Sequence, residues 1–289
     1  MNVQTPAAKD ATPEFSFTDA DYRAIAGIAK ARFGLDLQDS KKPLVYSRLA
    51  KRLRALRLDS FADYCKRLNT QDDTEEENYL LSALTTNVTQ FFREPHHFVY
   101  IRERLGPDLV ARGQAGKPIR VWSAACSSGE EAYCLAATLL GLFPQIERFN
   151  IRILATDIDP NVIAKAQAAS YPLDQLAQIP QPMRDLMVTQ GGGSGRFSIT
   201  PKVRQLVRFG QLNLMSDWPM RNPFDLVMCR NAAIYFDKDT QARLWRRFAD
   251  CLRPEGHLMI GHSERLTGPA TSLFESVAVT TYRKTAGTT

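Results

Sequence analysis

The stretch from Ile119 to Leu140 changes its apolar spacing once, and that change limits the folds open to the chain. Ile119, Val121 and Trp122 are β-branched or aromatic, as in a buried strand, whereas Ala132, Leu135, Ala136, Leu139 and Leu140 recur at helical spacing. The seven residues between them, Ser123 to Gly129, are small or polar and suit a tight turn that lays backbone against a ligand. The pattern then repeats, with Ile151 to Thr156 as strand and Pro160 to Ala168 as helix. Strand and helix in alternation predict an α/β parallel sheet with right-handed crossovers and a ligand crevice at the carboxyl ends of its strands.

The acids at those ends bear on what the ligand is. A dinucleotide loop of the form Gly-x-Gly-x-x-Gly is absent, since Gly129 stands alone, and Glu130 and Glu131 follow where a pyrophosphate would be repelled. The site suits a ligand that offers hydroxyls or positive charge. Asp157, in Asp157-Ile158-Asp159 at the end of the next strand, stands where a carboxylate commonly accepts hydrogen bonds from both ribose hydroxyls. Glu131 can also stabilise the N-terminus of its own helix, a role compatible with ligand binding.

Residues 1–14 are small and polar with two prolines and read as a disordered lead. Residues 15–86 form a helical domain. Thr18 and Asp21 frame a helix start, Tyr22, Ile25, Ile28 and Ala29 mark its buried face, and Gly34 ends it. Pro43 opens a second helix whose stripe of Val45, Leu49, Leu53 and Leu56 lies opposite Arg48, Lys51 and Arg52. Lys41 to Arg57 carries seven cations and no acid, enough to account for the net charge of +6. A solvated face, nucleic acid and an acidic protein partner all fit such a helix, although no helix-turn-helix pattern accompanies it. Residues 87–118 read as a linker and helix, and 119–285 as the sheet domain.

Between about 171 and 206 the alternation breaks into Pro172, Pro180, Pro182, a Gly191 to Gly195 turn and short strand-like runs, which predicts a β-rich insertion. Phe224 to Met228 is a further buried strand, Lys238 to Leu252 an amphipathic helix, and Arg253 to Gly256 a turn before the strand His257 to Ile260. Phe274 to Arg283 then supplies an antiparallel edge. With no bilayer-length apolar run and no apolar signal segment near Met1, a cytoplasmic location is expected. Five cysteines without Cys-x-x-Cys spacing indicate neither a disulfide framework nor a zinc site, and for His96-His97 a solvated or capping role is preferred to metal binding.

Several stretches together resemble one family. Asn87-Val88-Thr89-Gln90-Phe91-Phe92-Arg93-Glu94, Val121 to Glu131, Ala155 to Asp159, Cys229 to Lys238 and Gly261-His262-Ser263-Glu264 are similar, in the same order, to the blocks of the bacterial chemotaxis receptor methyltransferases, the CheR family. The resemblance runs from about residue 15 to about residue 285. It implies a Rossmann-like S-adenosylmethionine-dependent methyltransferase sheet, an N-terminal all-helical domain and a small antiparallel β insertion. It also implies methylation of glutamate side chains on chemoreceptors, with S-adenosylhomocysteine as the second product. By the same resemblance Asn87, Thr89, Arg93, Glu131, Asp157, Asn213, Leu214, Arg230 and Asn231 contact the cofactor. Arg93, Arg230 and Tyr235 stand at the methyl-donor end as candidates to hold the acceptor carboxylate.

The corresponding helix of the family faces the acidic helices of the receptor, which makes Arg48, Lys51, Arg52 and Arg54 the candidates for that contact here. In some members the β insertion pairs with a peptide from the receptor's C-terminal tail. Membrane contact is then only through the receptor, no nucleic acid is expected, and the absence of a long heptad pattern suggests a monomer. Ala232-Ala233 replaces the family's commoner Val-Leu or Val-Met, which bears on local packing only. An Asn/Asp-Pro-Pro-aromatic motif, usual for nitrogen methylation, is missing after Met228, where Arg230-Asn231 stands instead. A signalling module that binds without turnover is the non-enzyme alternative. His262 is read as a structural hydrogen-bonding residue rather than a base.

Overall fold

A computed structural model describes residues 14–70, 73–190 and 195–286, so most of the lead and the glycine turn at 191–194 lie outside the described residues. The chain divides into two compact units, one comprising the residues up to Arg32 and Asp36–Thr85, the other Phe33–Leu35 and the chain from Thr86 onward.

In the first unit, α1 (Asp19–Phe33) starts at a reciprocal cap. Asp21 accepts from the Thr18 N–H at 2.8 Å, and Thr18 Oγ1 accepts from the Asp21 N–H at 3.2 Å. Helices α2 (Lys42–Leu56), α3 (Phe61–Thr70) and α4 (Thr74–Leu84) follow. The apolar stripe of α2 buries Val45, Leu49 and Leu53, with Ala50 beside them. Its polar side is not uniformly solvated. Arg52 donates to Glu76 at 2.9 and 2.6 Å, and Glu76, which is 0% exposed, also accepts from Tyr64 Oη at 2.7 Å. Arg48 Nη1 donates to the carbonyls of Ala83 and Thr85 at 2.8 and 2.7 Å, satisfying the end of α4.

The second unit opens with α5 (Pro95–Tyr100), a π-helical turn at Ile101–Leu105 and α6 (Gly106–Gln114). The sheet domain then runs β1 (Ile119–Ala124), α7 (Glu130–Leu142), β2 (Ile151–Asp157) and α8 (Pro160–Ala168). The insertion follows as β3 (Ser170–Pro172), α9 (Gln181–Met187), β4 (Val188–Gln190), β5 (Arg196–Ile199) and α10 (Pro201–Arg204). After it come β6 (Val207–Gln211), β7 (Phe224–Cys229), α11 (Lys238–Cys251), β8 (Leu252–Ile260), β9 (Phe274–Ala278) and β10 (Thr281–Lys284).

Seven strands form the main sheet in the order β6-β2-β1-β7-β8-β10-β9, parallel as far as β8, with β10 antiparallel to β8 and β9 antiparallel to β10. Alternation along β1 sorts the core onto two faces. Ile119 and Val121 join the cluster built on α7, while Trp122 and Ala124 join the one built on α11. The insertion is a three-stranded antiparallel sheet, β3-β5-β4. It is less β-rich than its prolines and short apolar runs suggest, because α9, α10 and a 3₁₀ segment at Leu173–Gln178 take up much of its length. Arg253 to Gly256, expected as a turn, lies inside β8 as a bulge: Leu252 is opposite Phe224 and His257 opposite Leu226, and Glu255 between them takes φ 62°.

Register places the site. Ala124 is opposite Thr156, Asp157 opposite Gln211 and Cys229 opposite Ile260. The connections that follow β1, β2, β6, β7 and β8 therefore open on one edge of the sheet.

Candidate active site

The β1–α7 turn is tightly constrained. Ala125, Ser127 and Gly129 take φ of 60°, 49° and 95°, and at Gly129 a Cβ would lie 2.8 Å from the Ala166 Cβ and 3.2 Å from Tyr171 Oη. Only glycine meets both the backbone and the space requirement there. Asp157 fastens the turn to the end of β2: its Oδ2 accepts from the Ser127 N–H at 2.9 Å and its Oδ1 from the Asp159 N–H at 3.0 Å. Both oxygens keep lone-pair capacity for further donors. Burial raises the Asp157 pKa despite those two N–H groups, which act to lower it.

Thr86 to Arg93 carries no helix or strand, and its residues are held by side chains from around the sheet edge. The Asn87 carbonyl accepts from Ser127 Oγ at 2.9 Å, and Asn87 Nδ2 donates to Asp159 Oδ2 at 3.1 Å. Phe91 N–H donates to Gln178 Oε1 at 3.1 Å, and the Phe91 ring packs edge-on against Tyr171 with centroids 4.9 Å apart. Tyr235 Oη donates to the Thr86 carbonyl at 3.2 Å. This segment forms a strap across the crevice, with Val88 exposed on its outer side.

Arg93 and Arg230 sit at one end of the strap and differ in environment. Arg230 is buried: its Nε donates to Glu131 Oε2 at 2.7 Å, and its Nη1 donates to the Arg93 carbonyl. The other Glu131 oxygen accepts from Ser123 Oγ at 2.6 Å, so Glu131 joins β1 to the residue after β7 rather than only serving its own helix. Arg93 is half-exposed and donates to the Val88 carbonyl at 3.2 Å. Arg230, a candidate to hold the acceptor, has its guanidinium on Glu131 and the Arg93 carbonyl, and so holds the strap on which Arg93 stands.

Around this pair lies a polar cluster centred on Glu94. Glu94 Oε1 accepts from the His262 N–H at 3.1 Å and stands 3.0 Å from His262 Nδ1. Burial acts to raise the Glu94 pKa, but the two His262 hydrogen bonds and the Arg230 charge win and lower it. Glu94, His96 and His97 are close enough to share a cation, yet Arg230 Nη1 already lies 4.0 Å from Glu94 Oε2 and supplies positive charge there. His97 is neutral, its pKa lowered to about 3 by burial and by Arg230.

Glu264, the last residue of Gly261-His262-Ser263-Glu264, is a further buried carboxylate. It accepts N–H groups from both sides: Gly261 at 2.6 Å, Asn231 at 3.0 Å and Ala233 at 2.8 Å. Sequence offered one signal for it, an acid three residues after a glycine at a strand end, the spacing of a reach-back cap. Asn213 follows the Leu212 N–H, which donates to the Asp157 carbonyl at 2.9 Å, and its Oδ1 caps the Met215 N–H at 2.9 Å. Leu214 is buried. Thr89 lies on the strap and is half-buried.

Residues 20–85 match the all-alpha domain of the CheR methyltransferases, and residues 87–283 match their SAM binding domain. The chain belongs to the CheR methyltransferase family. A probable chemotaxis protein methyltransferase of Rhizobium etli is 42% identical over 254 residues, covering 87% of this chain and 95% of that one. Chemotaxis protein methyltransferase 2 of Pseudomonas aeruginosa is 41% identical over 286 residues, covering 98% and 99%. The Escherichia coli chemotaxis protein methyltransferase is 37% identical over 270 residues, covering 91% of each. This CheR protein is thus an S-adenosylmethionine-dependent methyltransferase of chemotaxis, a Rossmann-like α/β sheet with an all-helical domain before it.

The residues at the strand ends fit that cofactor. Asp157 offers a buried carboxylate, the turn at Gly129 admits close approach, and the buried acids Glu130 and Glu131 suit an ammonium or sulfonium better than phosphate. Burial raises the Glu130 pKa, with the Ser128 hydroxyl acting against it. In the helical unit, Lys51 and Arg54 are exposed. Arg54 pairs with Glu14 at 3.0 Å, while Arg48 and Arg52 are half-buried on the intradomain partners described above.

Proposed function

We propose that this protein transfers a methyl group from S-adenosylmethionine to glutamate side-chain carboxylates on bacterial chemoreceptors, giving γ-glutamyl methyl esters and S-adenosylhomocysteine. The observation that carries the reading is Arg93, a half-exposed cation on the strap whose carbonyl is held by buried Arg230. A cation there favours an anionic acceptor. The cofactor supplies an activated methyl group, and a glutamate carboxylate is ionised at pH 7, so the protein needs no general base. His262, the nearby imidazole, is occupied with Glu94.

The work left to the protein is alignment and exclusion of water. Asp157 takes the ribose hydroxyls, Asn213 and Leu214 the adenine, and Asn87, Thr89, Glu131 and Asn231 hold the remainder of the cofactor, Glu131 with its charge balanced by Arg230. Arg93 draws the acceptor oxygen toward the methyl group, while Arg230 and Tyr235, bonded to the Arg93 and Thr86 carbonyls, hold the strap that carries it. A receptor fragment whose modified glutamates are replaced by alanine should take up no methyl label; label unchanged on that fragment would overturn the assignment.

Lys51 and Arg54, with Arg48 and Arg52 behind them, meet the acidic helices of the receptor. The methylation rate on receptor should therefore fall as salt rises from low to about 0.5 M, where charges are screened beyond a few ångströms. A rate insensitive to salt would remove this role. A receptor tail peptide, where present, adds as a strand to β3 or β4 of the insertion, both at the edges of its sheet. The enzyme acts as a cytoplasmic monomer that reaches the membrane through its receptor. Among the described residues no helix is long and apolar enough to cross a membrane.

A further inference from the structure

Glu264 is 4% exposed and touches no other charged side chain among its hydrogen-bond partners, all of which are main-chain N–H groups. Those donors come from two different connections. Asn231 and Ala233 follow β7, and Gly261 follows β8. The carboxylate thus closes a three-way junction at the carboxyl ends of neighbouring strands, while the Glu264 N–H donates back to the Gly261 carbonyl at 2.9 Å. The junction is tight. A Cβ on Gly261 would lie 2.7 Å from Asn231 Nδ2 and 2.9 Å from Glu264 Oε2. It also holds Asn231 at φ 59°, a conformation a non-glycine residue keeps only when its neighbours impose it.

The segment fixed in this way has functional residues at both ends. Arg230 precedes Asn231 and carries the bonds to Glu131 and the Arg93 carbonyl; Tyr235 lies two residues beyond Ala233 and donates to the Thr86 carbonyl. Both therefore reach back to the strap. We propose that Glu264 is a positioning residue for methyl transfer, tying the connection after β7 to that after β8 so that Arg230 and Tyr235 hold the strap and Arg93 at the acceptor end. The role rests on the methyl-transfer reading above. Asp157, Asn213 and Asn87, the cofactor contacts on β2, after β6 and on the strap, share no hydrogen bond with Glu264, and Asn231 meets it through its main-chain N–H rather than its side chain.

Glutamine at this position keeps the shape but turns an amide –NH₂ toward at least one N–H donor, leaving it unpaired in a buried site. In Glu264→Gln, kcat on receptor membranes should fall by about 10²-fold, the effect of small misplacement at a reacting centre, while the Kd for S-adenosylmethionine changes by no more than about threefold. Hydrogen exchange of residues 230–236 should quicken. Gly261→Ala crowds the junction from the other side, pressing on Asn231 and Glu264 Oε2 while keeping the carboxylate's charge and acceptors, and should produce the same pattern. Leu109→Ala, a core truncation on α6, controls for general loss of stability. The proposal is overturned if exchange over 230–236 is unchanged, if kcat falls no further than in Leu109→Ala, or if cofactor affinity drops as much as kcat. Should the wild-type protein fail to methylate receptor, the proposed function is at fault, and the exchange comparison still decides whether Glu264 holds the junction.

Discussion

Arg93 and Arg230 are both arginines at the end of one crevice, and their surroundings give them different work. Arg230 is buried with a carboxylate and a carbonyl as partners; Arg93 is half-exposed with one carbonyl. Replacing Arg93 with alanine should lower kcat by about 10²-fold or more with little change in cofactor Kd, as for loss of one preorganised charge at a reacting centre. Steady-state kinetics with isothermal titration of the cofactor checks this, and a full transfer rate in Arg93→Ala would contradict it. Sequence brought out the acids at the strand ends, because Asp157 ends a strand that opens on the crevice and Glu130 and Glu131 stand where a pyrophosphate would be repelled. It did not bring out the partner of Arg230, which lies 99 residues away. Pairings over such separations follow from strand order, and strand order is not written in local spacing.

At the scale of one element, α2 shows how far a charge pattern can be read. Periodicity located the helix and its buried stripe of Val45, Leu49 and Leu53. Yet the cations opposite that stripe are not equivalent. Arg52 stacks 4.3 Å over the Tyr79 ring and binds Glu76, whose carboxylate is fully buried and also accepts from Tyr64. Burial, then the hydrogen bond to Glu76, raises the Tyr64 pKa and keeps its hydroxyl protonated as a donor. The three acids of Thr74-Glu75-Glu76-Glu77 read alike as helix N-terminal charge, so nothing local marked Glu76 as a core residue. Glu76→Ala should destabilise the protein by about 3 kcal/mol or more, because Arg52 is left without its buried partner. Lys51→Ala and Arg54→Ala, which remove exposed charges, should cost less than about 0.5 kcal/mol. Denaturant titration of the three variants distinguishes them; equal losses would mean that the Arg52–Glu76 pair is no more than a surface contact.

For the molecule as a whole, alternation of strand and helix gave the parallel part of the sheet, while the antiparallel edge at β10 and β9 was legible from a strand-like run at the chain's end. The insertion was less legible, since short apolar runs between prolines fit 3₁₀ and helical turns as well as strands. The fold also carries two buried histidines. Burial, then Arg230 for His97 and Arg253 for His257, lowers their pKa to about 3 and about 4. Both are neutral in the fold and titrate near 6.5 when unfolded. Their contribution to stability is therefore present above pH 6.5 and is lost as pH falls from there toward 4. Each adds a slope approaching about 1.4 kcal/mol per pH unit once the unfolded imidazole is fully charged. Urea unfolding at pH 7 and pH 5 should show the loss, and His257→Gln should lessen it; an identical slope in that variant would contradict the assignment.

The central claim is that the acceptor is a carboxylate. Radiolabelled methyl from S-adenosylmethionine, transferred to receptor-containing membranes and then treated with mild alkali, tests it most directly. Label on the receptor should leave as volatile methanol, the behaviour of a glutamyl methyl ester. Label that survives alkali would place the methyl on nitrogen or another stable acceptor and contradict the claim.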